Sequence, residues 1–520
     1  MRILEWSSKS RLLAISVIGL VTLCALLVRL PGLQPASLWL DDQWVAVLAT
    51  VAPISYVVTG DYPCPPGLIL LMRAVVAIFG KGEWQLQAIP FVSSLAVIPL
   101  FAWVTMRATG NRMLGIIAAV LIAANMLLSM FGVRVKPFAV DALATIYLLA
   151  LAISYIDGGH VRQFATLAIV AALLPLFSWP ALIIGSILVI TLGGAALIRR
   201  DNRAQATKLL GWMLAYALAA LSIYLLTMRG RGSPILYTHW DANYLPANDW
   251  GALPAFLADS GVKLFTRAFP KDLSWFALAV PVGFAALLLD RRLRALGIAI
   301  LSIYAALFLA SALHLYPVGG GRTDIFSFPL TIFTAVSALM LLRNLSRPAW
   351  LCRVAGLAAP VIALLLVTHF GVRLPGISIK YPDSGGAQVV ARAAEIIRDG
   401  DALVIFTWTN WAVGFYGPWP VRIDEGADPS NSNAFFVRPL RAHTLVPDNS
   451  WSGIRINQDR VAVREQLLPF LRTSPKRLIY LIDQGPNNAN QWFVETIIEA
   501  GYQFDHQEHP GGATLIVFER

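Results

Sequence analysis

Charged residues are scarce in this chain of 520 residues, where Asp, Glu, Lys and Arg together make up 14% of the composition. Hydrophobic residues make up 57%, and a typical soluble domain has about 25% charged residues. This composition excludes an ordinary soluble globular protein and predicts an integral membrane protein. The net charge of +11 is then read as basic residues that orient membrane helices, so it does not indicate binding to nucleic acid.

Cysteine is also rare, and the three cysteines are Cys24, Cys64 and Cys352. The predicted topology places them in three different zones, which excludes a disulfide framework. The sequence has no G-x-S-x-G, H-E-x-x-H, P-loop or C-x-x-C motif, so these hydrolase, zinc-protease, nucleotide and redox sites are not indicated. His239 and Asp241 lie close together, but two such residues do not specify a metal site.

Eleven apolar segments are predicted to cross the membrane, since a spanning helix needs roughly 20 apolar residues. They lie at about residues 12–30, 86–106, 113–131, 138–156, 164–178, 180–198, 209–227, 273–289, 295–313, 325–342 and 352–370. With the N-terminus in the cytoplasm, every predicted cytoplasmic segment is basic and the short outer loops hold few cations, as the positive-inside rule requires. The first segment is longer than a signal-peptide core and is predicted to remain as an anchor.

Two long outer loops, 31–85 and 228–272, belong to the predicted membrane domain of residues 1–374. Residues 65–80 are apolar but contain Arg73, and they predict an amphipathic helix on the outer face. From residue 375 the composition changes, and residues 375–520 predict a soluble α/β domain outside the cytoplasm. The predicted fold class is a polytopic α-helical protein of the plasma (inner) membrane with a C-terminal extracytoplasmic α/β domain.

Acidic residues gather in the first outer loop, where Asp41 and Asp42 follow Trp39 and Leu40 and where Asp61 precedes a Cys-Pro-Pro sequence. Ionisable residues at the membrane indicate a functional site, so one aspartate is predicted to act as a general base. Neighbouring residues point in different directions, so the other would orient a neighbour or cap a helix beginning near Gln43. The alternative is a solvated pair that ends the loop.

Cations occur on the same predicted outer face, where they are normally sparse. Arg134 and Lys136 follow the third predicted span, and Arg322 follows three glycines in "HLYPVGGGRTDIF". The functional interpretation is a clamp for a phosphate carried by a lipid. The alternatives are a snorkelling pair of cations for Arg134 and Lys136 and a flexible connection for the glycine-rich loop.

The order of these motifs resembles that of the GT-C glycosyltransferases of the protein O-mannosyltransferase and lipid A aminoarabinose transferase type. The resemblance covers roughly residues 10–345 and is carried by "LWLDDQWVA", "CPPGLILLMRAVVAIFG", "EWQLQAIPFVSSLAVIPLF", "RVKPFAVDAL" and "YPVGGGR". The chain departs from the family pattern at Asp42, where Glu is frequent, and at Cys64, where His or Lys is common. A cysteine supplies neither the charge nor the hydrogen bonds of those residues.

The resemblance implies a GT-C fold and the inverting transfer of a sugar from a polyprenyl-phosphate donor to a hydroxyl of a lipid, glycan or protein outside the cytoplasm. No cofactor is required, although some GT-C enzymes use a divalent metal. By motif, the implied residues are Asp41 and Asp42 for catalysis, Arg134, Lys136 and Arg322 for the donor phosphate, and Asp61, Cys64 and Tyr316 for substrate.

Two other functions remain open from the sequence. A polymerase or ligase of lipid-linked oligosaccharides would also use such donors, and it predicts catalytic residues in a later outer loop such as 228–272. A transporter or flippase predicts ionisable residues in the middle of spans and repeated halves. Here the acids lie at the ends of spans and no repeat is present.

Overall fold

The computed structural model describes residues 8–33, 37–59, 62–199, 203–229, 240–249, 251–344, 349–373, 379, 381, 384–398, 401–406, 409–419, 421–423, 437–439, 461, 464, 467–468, 471–472, 476–483 and 487–520. Contacts divide the chain into two compact units. The first, called the helical unit, contains the described residues of Met1–Gly32, Gln87–Arg229 and Leu236–Lys380. The second, called the mixed unit, contains the described residues of Leu33–Leu86 and Tyr381–Arg520.

All eleven predicted spans coincide with helices of the helical unit. The principal α-helices are Ser8–Arg29, Glu83–Thr109, Arg112–Ala123, Met126–Gly132, Phe138–Gly158, Val161–Leu173, Pro180–Arg199, Arg203–Thr227, Ala279–Leu289, Arg294–Ala312, Phe328–Ser337, Leu339–Asn344 and Ala349–Arg373. Shorter helical pieces are Leu30–Leu33, Leu174–Leu176, Asp241–Asn243, Leu253–Phe256, Leu257–Gly261, Val262–Thr266, Lys271–Leu278 and Ile325–Ser327. Their apolar side chains form one large buried core.

Seven of the described helices are long and apolar enough to cross a membrane, and one bent pair brings the number to eight. Three shorter apolar helices, Val161–Leu176, Ile325–Leu341 and Leu357–Arg373, coincide with the remaining predicted spans. The described chain therefore agrees with a polytopic membrane fold, and eleven crossings remain the prediction for the complete topology.

The bent pair consists of Arg112–Ala123 and Met126–Gly132, whose axes differ by 62°. Asn125 lies at the break and caps the second helix, because its side-chain oxygen accepts the backbone N–H of Leu128 at 2.9 Å. Its amide nitrogen donates to the carbonyl oxygens of Arg267 and Ala268 at 2.9 and 3.0 Å. A capping residue in the middle of an apolar segment thus explains the bend.

Polar contacts at the helix ends fall into two sets, as an alternating topology requires. At one set of ends, Arg107 Nε and Arg292 Nε each lie 2.9 Å from the carboxylate of Asp157. At the other, His369 Nε2 lies 2.7 Å from Asp272 Oδ2. Groups that form a hydrogen bond or ion pair at the membrane surface lie on the same side, so an even number of crossings separates them. The predicted spans satisfy this condition for each of these contacts.

Two helices of the helical unit approach closely at Gly283, which lies in Ala279–Leu289. A Cβ atom at this position would lie 1.7 Å from the carbonyl oxygen of Thr334 on Phe328–Ser337. Small residues allow such close contact between membrane helices. The glycine is therefore required by packing against a backbone atom that cannot rotate away.

We expect Gly283→Ala to destabilise the protein by about 1–3 kcal/mol or more, since overpacking forces the backbones apart. Thermal unfolding of the protein in detergent measures this effect. Gly211→Ala is the matched control, because a Cβ at Gly211 in the helix Arg203–Thr227 meets no atom within 4 Å. An unchanged midpoint for Gly283→Ala would contradict the close packing.

The mixed unit contains a four-stranded sheet. Strands β1 (Ala402–Ile405), β4 (Arg477–Ile482), β5 (Gln503–Glu508) and β6 (Thr514–Glu519) pair in the order β1-β4-β6-β5. Strands β2 (Val421–Ile423) and β3 (Val437–Pro439) form a separate antiparallel pair. The β1–β4 pair is parallel, with Ala402 opposite Leu478, and the other two pairs of the larger sheet are antiparallel. Helices Gly386–Ile396, Asn410–Tyr416 and Asn487–Glu499 accompany these strands.

The first outer loop belongs to this unit and forms helices Leu40–Thr50, Ile54–Thr59 and Pro66–Phe79. Arg73 does not interrupt a span, since its guanidinium donates to the last carbonyl oxygens of Leu40–Thr50, including Leu48 at 3.1 Å and Ala49 at 3.3 Å. Such carbonyls lack partners within their own helix. Arg73 is therefore a C-terminal cap for the helix that carries the acidic pair.

The segments before and after Pro66–Phe79 contact the same part of the mixed unit. Before this helix, the backbone N–H of Leu38 donates to the hydroxyl of Tyr416 at 2.7 Å. After it, the ammonium of Lys81 donates to the carbonyl oxygen of Phe415 and lies 4.7 Å from the centre of its ring. Since Phe415 and Tyr416 are adjacent, both ends of this 14-residue helix are held at one place, and its position at the membrane surface stays a prediction.

Candidate active site

The acidic pair lies in the first turn of Leu40–Thr50 in the mixed unit. The helix begins at Leu40 and not near Gln43 as predicted, with Trp39 as the N-cap residue in extended conformation. Carboxylates in the first turn interact favourably with the positive end of the helix dipole. Both aspartates thus have a structural reason to occur here, independent of any chemistry.

Burial distinguishes the two aspartates. Asp42 is fully buried, and its carboxylate accepts a hydrogen bond from the hydroxyl of Tyr381. Asp41 is half-buried. Consecutive helical side chains point about 100° apart, so the burial of Asp42 turns Asp41 towards a different and more open environment. Asp41 is therefore the better candidate for a base, and the buried Asp42 holds the start of the helix through its hydrogen bond with Tyr381.

The other predicted substrate residues of the first loop contribute less. Asp61 lies outside the described residues. Cys64 is fully buried, and its backbone N–H donates to the carbonyl oxygen of Tyr62 at 2.9 Å just before the helix Pro66–Phe79. Cys64 therefore lies in a tight turn. Its contact with substrate stays a prediction.

The cation pair lies in the helical unit, in the turn between Met126–Gly132 and Phe138–Gly158. Arg134 and Lys136 are 8% and 6% exposed, and the backbone N–H of Lys136 donates to the carbonyl oxygen of Arg134 at 2.8 Å. A snorkelling cation keeps its charged end in water. The burial of both side chains therefore argues against snorkelling, and their contact with a lipid phosphate stays a prediction.

The glycine-rich loop of the helical unit is a built structure and not a flexible connection. Gly319 and Gly321 have φ angles of +79° and +82°, which side chains with a Cβ rarely adopt. The Asp324 carboxylate accepts both of their N–H groups, at 3.3 and 2.9 Å, and Arg267 donates to the carbonyl oxygen of Gly319 at 2.6 Å. The loop conformation is therefore fixed from both sides.

This loop presents Arg322 and Tyr316. The Arg322 guanidinium lies 5.1 Å from the centre of the Trp240 ring, a cation–π contact that orients it. The hydroxyl of Tyr316 donates to the carbonyl oxygen of Thr323 at 2.7 Å, and burial together with the nearby acids Asp141 and Asp324 raises its pKa well above the ordinary range. Tyr316 thus stabilises the loop as a neutral phenol, and its contact with substrate stays a prediction.

Burial raises the pKa of the Asp324 carboxyl to about 6, against the opposing effects of the Gly321 and Gly319 N–H groups and the charge of Arg267. The unfolded value is about 3.9, so the folded chain binds this proton more tightly. The resulting stabilisation is complete below about pH 4 and is lost as the pH rises through about 6, because the buried carboxyl must then ionise.

We expect the protein to lose about 1 kcal/mol of stability between about pH 5 and pH 7.5 through Asp324. Asp324→Asn keeps an oxygen for the two N–H donors and should remove this part of the pH dependence. Thermal unfolding at the two pH values measures it. Asp505→Asn, at an exposed aspartate of the mixed unit, is the control, and equal pH dependence in wild type and Asp324→Asn would contradict the assignment.

Three buried charged residues were given no role in the predicted site. Asp324 lies two residues after Arg322, and only Arg322 was given a role in that motif. Asp141, in the first turn of Phe138–Gly158, is 4% exposed, and its Oδ1 atom has no hydrogen-bond partner among the described residues. Arg29 is fully buried, donates to the carbonyl oxygen of Ala25 at 3.0 Å, and has two nitrogens without partners in the described part of the chain. Their position at the ends of predicted spans was the available signal.

The described residues contain no group of three or more His, Cys, Asp or Glu side chains arranged to hold a metal ion. The possible divalent metal of the GT-C resemblance therefore has no site that can be named from these residues.

Known proteins resemble this chain in structure but not in sequence. No protein-family model matches the sequence, and no curated protein matches it. Among solved structures, ArnT from Cupriavidus metallidurans in the apo state has a TM-score of 0.56 at 13% identity, with 98% of both chains covered. The same protein bound to undecaprenyl phosphate has a TM-score of 0.53 at 13% identity, again with 98% of both chains covered.

A third similar structure is the archaeal oligosaccharyltransferase AglB from Archaeoglobus fulgidus in complex with an inhibitory peptide and a dolichol-phosphate. The TM-score is 0.51 at 15% identity, covering 98% of this chain and 74% of AglB. Both proteins are GT-C glycosyltransferases. The likeness extends over nearly the whole chain, including the mixed unit, and so the chain has the fold of the GT-C glycosyltransferases.

Proposed function

We propose that this protein transfers a sugar from a polyprenyl-phosphate donor to an acceptor hydroxyl at the extracytoplasmic face of the plasma membrane. The observation that carries the proposal is the GT-C fold, shared with ArnT bound to undecaprenyl phosphate and AglB bound to a dolichol-phosphate. The buried cations Arg134 and Lys136 support it, since two cations in one turn can bind the phosphate of a lipid.

We infer the side of the membrane from the predicted topology and from the distribution of charge. The first outer loop and the C-terminal segment share hydrogen bonds, such as that between Leu38 and Tyr416, and so lie on one side. The predicted spans place the basic loops on the opposite side, which the positive-inside rule assigns to the cytoplasm. An N-terminus in the cytoplasm and an acidic pair outside it are consistent with both observations.

The proposed reaction is a single inverting displacement. The acceptor oxygen attacks the anomeric carbon, Asp41 takes the hydroxyl proton, and the bond from the anomeric carbon to the phosphate oxygen breaks with its electron pair on the phosphate. Arg134, Lys136 and Arg322 are proposed to stabilise the departing phosphate. Asp61, Cys64 and Tyr316 are proposed to border the substrate.

The similarity to AglB, solved with a peptide, favours a second candidate, the transfer of a whole lipid-linked oligosaccharide. Both candidates release the lipid carrier, but they differ in the size of the transferred glycan. Identifying the acceptor and the transferred sugar would therefore distinguish the two candidates.

The experiment is a release assay with the purified protein in lipid nanodiscs. Synthetic polyprenyl-phosphate monosaccharides and a polyprenyl-linked oligosaccharide are supplied with a membrane extract as the acceptor source, and free lipid phosphate and labelled product are measured. Accumulation of one lipid-linked sugar after deletion of the gene identifies the natural donor. If the folded protein consumes none of these donors, the proposed function is wrong.

A further inference from the structure

Residues from the C-terminal segment bind the chain immediately before the acidic pair. The backbone N–H of Leu38 donates to the Tyr416 hydroxyl at 2.7 Å, and the carbonyl oxygen of Leu38 accepts from Ser384 Oγ at 2.8 Å. The backbone N–H of Trp39 donates to the Tyr381 hydroxyl at 3.1 Å. All of these groups belong to the mixed unit. The chain that leads into Leu40–Thr50 is therefore held by side chains more than three hundred residues away.

Tyr381 makes two contacts with this helix start. Its hydroxyl accepts the N–H of Trp39 and donates its own proton to the carboxylate of Asp42. Trp39 is the N-cap residue, and no side chain caps the helix locally. Since Asp42 is fully buried, the phenol fixes both the cap residue Trp39 and the third residue of the helix, Asp42.

A second contact acts on Gln43, also fully buried. Its amide nitrogen donates to the carbonyl oxygen of Leu38 at 2.7 Å, to Ser384 Oγ at 3.1 Å and to Asp483 Oδ2 at 2.9 Å. Gln43 is thus hydrogen-bonded to Ser384, just before the helix Gly386–Ile396, and to Asp483, just after strand β4. Rotation of this turn would break bonds at both Asp42 and Gln43.

We propose, building on the transfer reaction above, that Tyr381 is a positioning residue for Asp41 and that the C-terminal segment thereby completes the acidic site. Because Asp41 adjoins Asp42 on a single helical turn, fixing Asp42 sets the direction of the Asp41 carboxylate. A displacement of about 1 Å at a reacting group lowers the rate by up to about a hundredfold. The C-terminal segment therefore does more than cover the site or hold an acceptor.

The test compares Tyr381→Phe with Tyr480→Phe. Tyr480 is fully buried in the same unit, and its hydroxyl has no hydrogen-bond partner among the described residues. For Tyr381→Phe we expect kcat to fall about tenfold while the donor KM stays within about twofold, as for a misplaced base. Tyr480→Phe should keep the wild-type kcat. The positioning role would be overturned if Tyr381→Phe had the wild-type kcat, or if its donor KM rose by the same factor as its kcat fell.

Hydrogen exchange of the peptide covering residues 37–50 provides a measurement that does not depend on activity. Exchange should be faster in Tyr381→Phe and unchanged in Tyr480→Phe, since only the first variant releases the Trp39 N–H group. If the wild-type protein consumes no lipid-linked sugar, the proposed function fails while this measurement still tests the contact. Unchanged exchange would overturn the contact whatever the activity.

Ser384→Ala is the second variant, for use if Tyr381→Phe does not fold. It removes the hydrogen bonds to Leu38 and Gln43 without touching Asp42. It should show the same pattern of lower kcat, retained donor KM and faster exchange at residues 37–50. Wild-type values of kcat and exchange in Ser384→Ala would contradict the proposal.

Discussion

Asp41→Asn is expected to lower kcat for sugar transfer by about 10²–10⁴-fold, the usual contribution of a positioned general base. Asn keeps the size of the side chain but cannot take the acceptor proton. Because Asp41 is half-buried, whereas its neighbour Asp42 is the buried partner of Tyr381, the variant should fold normally and bind the donor with an unchanged KM. Release of lipid phosphate by the purified protein measures kcat directly.

Asp42→Asn is the matched variant for this prediction, since the two residues are adjacent and chemically identical. Asn at position 42 still accepts the Tyr381 hydrogen bond, but a bond to a charged group is stronger than a bond to a neutral one. We therefore expect a lower unfolding temperature and a smaller loss of kcat than at Asp41. Normal turnover by a folded Asp41→Asn protein would falsify the role of Asp41 as base.

Lys136→Met is expected to raise the donor KM by about 10–100-fold, since a charge-assisted hydrogen bond contributes about 1.5–3 kcal/mol. Methionine retains the apolar stem, so packing around the 6% exposed side chain is largely preserved. Lys136→Arg keeps the charge and should recover part of the affinity. Initial rates over a range of polyprenyl-phosphate sugar concentrations give KM.

Lys263→Met is the control for this charge change. Lys263 is a partly exposed lysine of the helical unit, with its ammonium 2.6 Å from Asp259, and surface ion pairs of this kind contribute little. Its KM should equal that of wild type. A wild-type KM in Lys136→Met would show that Lys136 does not bind the donor phosphate. Arg134 and Arg322 would then be the remaining candidates.

Much of the fold could be predicted from the sequence because its signals are local. An apolar run of about 20 residues forms a helix wherever it lies in a membrane, and all eleven runs are helical. In the C-terminal segment, the apolar runs "ALVI", "RLIYLI" and "TLIVFE" are typical of strands, and they form β1, β4 and β6 of the predicted α/β domain. Strand β5 was missed because Gln503–Glu508 is polar and lies at an exposed edge of the sheet, where no apolar alternation is required.

The candidate site was less predictable, because its contacts join distant residues. Nothing in the local pattern around Tyr381 indicates a bond to Trp39, which is 342 positions earlier. The same holds for the loop at Gly319, where three glycines left a flexible connection open as an alternative and Asp324 imposes a fixed shape. Periodicity and composition predict which residues are buried, but they do not predict which buried polar groups meet.

The separation between Trp39 and Tyr381 also has a consequence for biosynthesis. A ribosome adds about 5–20 residues per second, so the acidic loop waits roughly 20–70 s after its own synthesis before its partners exist. During that interval the loop lacks the hydrogen bonds that orient the start of Leu40–Thr50. A polypeptide that stops before Tyr381 would contain all eleven predicted spans, but the start of this helix would lack its distant partners.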